Sequence, residues 1–96
     1  MLFRIDASRS EAVYAQVMNE IKLRVARGVL RSGDRLPSVR ELARTLVINP
    51  NTVSKAYGFL ESEGVIVSRQ GRGTFVAEAV PELSVKARGG RIRRLI

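Results

Sequence analysis

The sequence predicts an α+β fold in which three helices carry a small antiparallel sheet, and two stretches of the chain predict it. Leu36 to Leu60 reads as two short helices written back to back, each with its own start signal. Gly64 to Ala77 reads as two glycine-bounded strands joined by a tight turn. With a long amphipathic helix upstream, the order becomes helix, short strand, helix, helix, β-hairpin wing. That order is the plan of a winged helix-turn-helix.

The elements follow in chain order. Ser8 and Glu11 stand at capping-box spacing, which predicts a helix start at Ser8. Apolar residues then recur at Tyr14, Val17, Met18, Ile21 and Val25, and the stripe ends near Gly28. Arg31-Ser32-Gly33-Asp34 is a turn, and Arg35-Leu36 supplies a very short strand beside the wing. Ser38 and Glu41 form a second capping box, followed by Val39, Leu42, Ala43 and Leu46 on one apolar face. Asn49-Pro50 starts the next helix: asparagine is a preferred N-cap, and proline at the first helical position sacrifices no intrahelical bond. Gly64 supplies a left-handed stop after Glu63.

At about 100° per residue, Val53, Ala56, Tyr57 and Leu60 cluster on one side of the helix that begins at Pro50. Asn51, Lys55, Gly58 and Ser62 point away, with Thr52 and Ser54 flanking that outer face. A major-groove helix reads base edges with its N-terminal residues, and small polar side chains plus one cation suit that task. Any solvated surface helix shows a similar polar face, so the hairpin decides. Val65 to Arg69 and Gly73 to Ala77 are strand-like, and Gln70-Gly71-Arg72 joins them with Arg69 and Arg72 as cations at the tip. A basic hairpin directly after two such helices can reach a flanking phosphate or the minor groove.

From about Val13 to Val76 the chain resembles the winged-helix domain of GntR-family bacterial transcription regulators. The matching residues are Tyr14-Ala15-Gln16, Gly33-Asp34-Arg35-Leu36-Pro37-Ser38, Arg40-Glu41-Leu42-Ala43, Asn49-Pro50-Asn51-Thr52-Val53, and Gly64 with Gly71-Arg72-Gly73-Thr74-Phe75-Val76. The short YtrA-like branch of the family is the most similar. The resemblance implies a cytoplasmic homodimer that binds a near-palindromic double-stranded DNA operator, usually as a repressor. It also implies that Arg40 holds a phosphate, that Asn49, Asn51, Thr52 and Ser54 contact bases and backbone with Lys55 beside them, and that Gln70, Gly71 and Arg72 make the wing-tip contacts. Arg35, Ser38 and Arg69 complete the expected DNA-binding set.

The chain departs from that pattern in three places. Val47 stands in the turn where glycine is usual, so a β-branched residue must make the tight bend. Gly58 lies inside the second of the paired helices, where glycine costs about 1 kcal/mol relative to alanine. Phe59 projects neither clearly inward nor outward and is expected against the wing or the first helix.

Charge agrees with a nucleic-acid partner. Residues 1–78 hold twelve Lys or Arg against eight acids, and the last eighteen hold five against one, so the tail doubles the net positive charge to +8. Cationic surface gains affinity for DNA by releasing condensed counterions, though it also attracts RNA, anionic membranes and acidic proteins. Residues 1–78 are therefore assigned to the DNA-binding domain and 79–96 to a basic tail. The tail is read as a basic arm touching DNA, as a disordered end, or as the start of a dimerisation segment on a chain that continues past Ile96. Its Arg88-Gly89-Gly90-Arg91 stretch carries the alternative function, a small RNA-binding or nucleoprotein-interaction module.

No cysteine and no histidine occur, and the carboxylates form no paired set, so no cofactor, metal site or enzymatic activity is expected. No apolar signal core or membrane-length run is present, and the sequence points to no small-molecule effector.

Overall fold

The computed structural model describes residues 3–78, and six elements follow one another in the predicted order. They are α1 (Val13–Ala26), β1 (Arg35–Leu36), α2 (Val39–Leu46), α3 (Pro50–Ser62), β2 (Ile66–Arg69) and β3 (Gly73–Val76). The sheet runs β1-β3-β2 and is antiparallel throughout, with Arg35 opposite Phe75 and Ile66 opposite Val76. The predicted turn at Arg31–Asp34 carries the ladder past β1. Gly33 N–H donates to the Val76 carbonyl at 2.9 Å, and Val76 N–H donates to the Asp34 carbonyl at 2.8 Å.

The first helix begins a turn later than its capping box predicts. Its N-cap is Ala12, and no side chain caps it. Asp6 has taken Ser8 instead: both the Ser8 hydroxyl, at 2.6 Å, and the Ser8 N–H, at 2.9 Å, donate to Asp6 Oδ1. These two bonds hold the Asp6 carboxyl below the usual range. Glu11 pairs with Arg9 and accepts from Asn19 Nδ2. What secures this rearrangement is Gln16, whose amide accepts from Asp6 N–H at 2.7 Å and donates to the carbonyls of Asp6 and Glu11. Gln16 is only 2% exposed, so its amide has those partners in place of water. A local cap lost to a contact with the residues that precede it.

All three helices end in the same hydrogen-bond pattern, a Schellman motif in which a left-handed residue turns the chain back onto the last carbonyls. Gly28 and Gly64 occupy that position after α1 and α3, with φ of 77° and 80°. After α2 it is Val47, at φ 58° and ψ 51°. Val47 N–H donates to Arg44 O, and Ile48 N–H donates to Ala43 O at 3.0 Å. The expected glycine-free turn therefore forms with standard geometry, and valine bears its steric cost.

The core lies where α1, α2 and α3 meet the inner face of the sheet. Val17 and Ile21 come from α1, Leu42 and Ala43 from α2, Val53, Ala56, Tyr57 and Leu60 from α3, and Leu36, Ile66 and Val76 from the strands. These include the residues predicted for the inner face of α3 and the central part of each apolar stripe. Phe3 closes one end beneath the Arg24 guanidinium, 4.6 Å from the ring centroid.

Candidate nucleic-acid interface

α2 and α3 present their N-termini through two different caps. Ser38 Oγ accepts from Glu41 N–H at 3.1 Å, and Ser38 N–H donates to Glu41 Oε1 at 2.8 Å, which is the predicted capping box. Those bonds, with Arg35 and Arg44 nearby, hold the Glu41 carboxyl below its ordinary range. Asn49 Oδ1 accepts from Asn51 N–H at 2.8 Å, leaving the Asn49 amide protons free. The contact candidates Ser38 and Asn49 thus serve first as caps, the Ser38 hydroxyl facing the Glu41 carboxylate and the Asn49 NH2 group making no hydrogen bond among the described residues.

Arg40 stands exposed in the first turn of α2, and Asn51 and Ser54 stand exposed in the first turns of α3, with Thr52 half-buried beside them. Lys55 is drawn to one side. Its ammonium lies 4.2 Å from the Tyr14 ring centroid, and that ring in turn meets Phe59 at 5.6 Å. Of the two expected partners of Phe59, α1 is the one it meets, through Tyr14. A cation over an aromatic face is held at the α1 edge of α3, beside the exposed polar residues of its first turns.

The wing tip carries Arg69, Gln70, Gly71 and Arg72, all exposed. Arg72 N–H donates to Arg69 O at 2.9 Å, and Gly71 at φ 76° occupies the turn position that requires a left-handed residue. Arg35 connects this hairpin to α2. Its side chain lies across Gly73, so that a Cβ placed there would sit 3.2 Å from Arg35 Nε. The absence of that Cβ lets one cation cross from β1 to the base of the wing.

Among the described residues the ion pairs are Arg9–Glu11, Lys22–Glu63 and Arg24–Glu20, all involving α1, the N-terminal segment or the end of α3. Arg35, Arg40, Lys55, Arg69 and Arg72 take part in none of these pairs. Neither does Arg44, an exposed cation one turn beyond Arg40 that the sequence reading left out. Its i,i+4 spacing from Arg40 was the available signal. Arg4, Arg27 and Arg31 also lie outside these pairs, and Arg35 and Arg44 lie near Glu41, so the cations on β1, α2, α3 and the wing make a basic surface by where they stand and not by pairing alone. The Arg88–Arg91 stretch behind the RNA-binding alternative lies outside the described residues.

Three helices, a helix-turn-helix pair and a three-stranded sheet with a basic hairpin define a winged helix-turn-helix domain. The sequence profile of the bacterial regulatory proteins of the gntR family matches residues 13–76, and the chain belongs to that family. The HTH-type transcriptional repressor YtrA of Bacillus subtilis is 47% identical over 77 residues, covering 80% of this chain and 59% of its own. A solved structure titled as a transcriptional antiterminator from Listeria monocytogenes matches with a TM-score of 0.82 and 41% identity, over 90% of this chain and 64% of that one. The DNA-binding domain of AraR, solved in complex with operator ORE1, matches with a TM-score of 0.67 and 32% identity, over 80% of this chain and 94% of that one. The chain thus spans about three-fifths of the length of the YtrA relative.

Proposed function

We propose that this protein is a sequence-specific transcriptional regulator, a cytoplasmic repressor that binds a near-palindromic double-stranded DNA operator as a homodimer. The observation that carries the reading is the set of exposed cations, none of them in the ion pairs, on the helix-turn-helix and its wing: Arg35 on β1, Arg40 on α2, Lys55 on α3, and Arg69 and Arg72 on the wing. In this reading the residues divide the labour. Arg40, Arg35 and Lys55 hold phosphates, with Ser38 and Asn49 adding neutral donors from the caps. Asn51, Thr52 and Ser54 enter the major groove, where an asparagine amide can pair with adenine N6 and N7. Arg69, Gln70, Gly71 and Arg72 follow the adjacent backbone or minor groove. Two copies on a palindrome would place their reading helices about 34–36 Å apart.

Support comes from the family membership, from the repressor named among the relatives and from a related domain solved on its operator. Residues 1–78 are the DNA-binding unit in this reading, and residues 79–96 are a basic extension. A footprint on the DNA upstream of its own gene, at moderate salt with competitor present, tests it. A protected, two-fold symmetric site is expected. Uniform binding with no preferred sequence would overturn the reading.

A further inference from the structure

We propose that Tyr57 is a positioning residue for DNA recognition, its phenol fixing where the N-terminus of α2 stands relative to the reading edge of α3. This rests on the DNA-binding reading above. Tyr57 lies on the core side of α3, 6% exposed, and its hydroxyl donates to the Pro37 carbonyl at 2.7 Å. Pro37 precedes the Ser38 cap, and its carbonyl is outside the α2 ladder, whose first bond runs from Leu42 N–H to Ser38 O. The phenol is thus a directional tie between the helix that bears Asn51, Thr52 and Ser54 and the junction that bears Arg35, Ser38 and Arg40.

Among the described residues no other side-chain hydrogen bond joins α3 to α2 or its cap, and the core residues the two helices contribute, Leu42 and Ala43 with Val53, Ala56 and Leu60, are apolar and non-directional, whereas a hydrogen bond weakens steeply when its angle changes. The junction is stiff on its own side: proline restricts its backbone, Leu36 is paired with Thr74, and the capping box closes over Ser38. What remains to be set is its placement against α3, and the phenol sets it. Burial first, and Glu41 second, push the phenol well above the ordinary tyrosine range, so it remains a neutral donor. Productive polar contacts tolerate a displacement of only about 0.5 Å, so a slackened junction separates phosphate anchoring from base reading.

The test uses the full 96-residue chain. Wild type selects its tightest duplex from a random-sequence library, and a shuffled duplex of the same composition serves as the non-specific probe. Both affinities are measured for wild type and Tyr57→Phe well below their melting midpoints. Tyr57→Phe should bind the selected duplex up to about fivefold more weakly, because that duplex must then order a junction that one hydrogen bond orders in advance, and the shuffled duplex within about twofold of wild type. Tyr57→Met, a second variant without the hydroxyl, should share that loss of selectivity. In a double-mutant cycle, Arg40→Ala should cost less in the Tyr57→Phe background than in wild type. Equal losses on both duplexes, unchanged selectivity with a lowered melting point, or additive losses with Arg40→Ala would each make Tyr57 merely structural and overturn the inference. A wild-type chain that selects no duplex would instead overturn the DNA-binding reading, and this inference with it.

Discussion

Replacing Val47 with glycine should stabilise the protein, and the size of the gain can be worked from its backbone. Val47 holds φ 58° and ψ 51°, the left-handed region, at the position where Gly28 and Gly64 end the other two helices. For a residue with a Cβ that conformation costs about 1–2 kcal/mol. The side chain offers little in return, since Val47 is 87% exposed. Glycine removes the strain but loses more backbone freedom on folding, an opposing effect of about 0.5–1 kcal/mol. The difference spans about 0–1.5 kcal/mol and centres on a net stabilisation of about 0.75 kcal/mol for Val47→Gly. For a domain of this size that central value raises the melting midpoint by about 3–6 °C. Val47→Asn is the informative companion, because asparagine tolerates the left-handed region without glycine's full entropic loss. Thermal melts followed by circular dichroism, with urea titrations to confirm an unchanged m-value, would measure both variants. Midpoints equal to or below that of wild type for both would refute the claim that Val47 is strained.

Other outcomes follow from the same geometry. Arg40→Ala should weaken binding on all DNA sequences alike and reduce the slope of log affinity against log salt by about one unit. Asn51→Ala should change preference among operator variants by about 1–3 kcal/mol, and anisotropy titrations across a set of duplexes separate the two behaviours. Equal, sequence-independent losses from both would contradict the assigned roles. Gln16→Ala should destabilise the fold by about 2–3 kcal/mol, because it strips Asp6 N–H of its acceptor and leaves a small cavity; denaturant midpoints check it. Glu41 has a folded pKa below its unfolded one, so its contribution is fully present above the unfolded value, about 4.3, and fades as the pH drops through the lower folded value. Glu41→Gln can keep the capping box without the charge, and melts from pH 6 to pH 3 should show a shallower acid loss than wild type; an identical pH profile would remove Glu41 from that account.

Much of this protein was legible in short sequence intervals. The Ser38–Glu41 box, the Asn49-Pro50 start, the Gly64 stop and the Gly71 turn each depend on residues within one turn of each other, and each formed as read. The inner face of α3 was equally legible, because helical periodicity alone determines which side chains share it. The Ser8–Glu11 box failed for a reason of range. Its motif was complete, but Gln16 holds the Asp6 backbone, and Asp6 in turn takes the Ser8 hydroxyl. Lys55 was placed on the outer face by its angle, and only the neighbouring helix shows that Tyr14 draws it to the α1 edge. Arg44 stands four residues after Arg40, a spacing legible in the sequence, but its freedom from the ion pairs shows only in the tertiary structure.

The amino-acid sequence by itself determined which segments are helix, strand and turn, which faces are apolar, and which residues stand at the N-termini of α2 and α3. These are consequences of backbone preference, periodicity and capping, all of which act within a few residues. Tertiary structure decided the rest: the course of Arg35 across Gly73, the pairing of acids with the α1-side cations, the seat of Lys55 and the bond from Tyr57 to Pro37. Each depends on atoms brought together from distant parts of the chain, where packing and desolvation select among partners that a local pattern leaves equivalent.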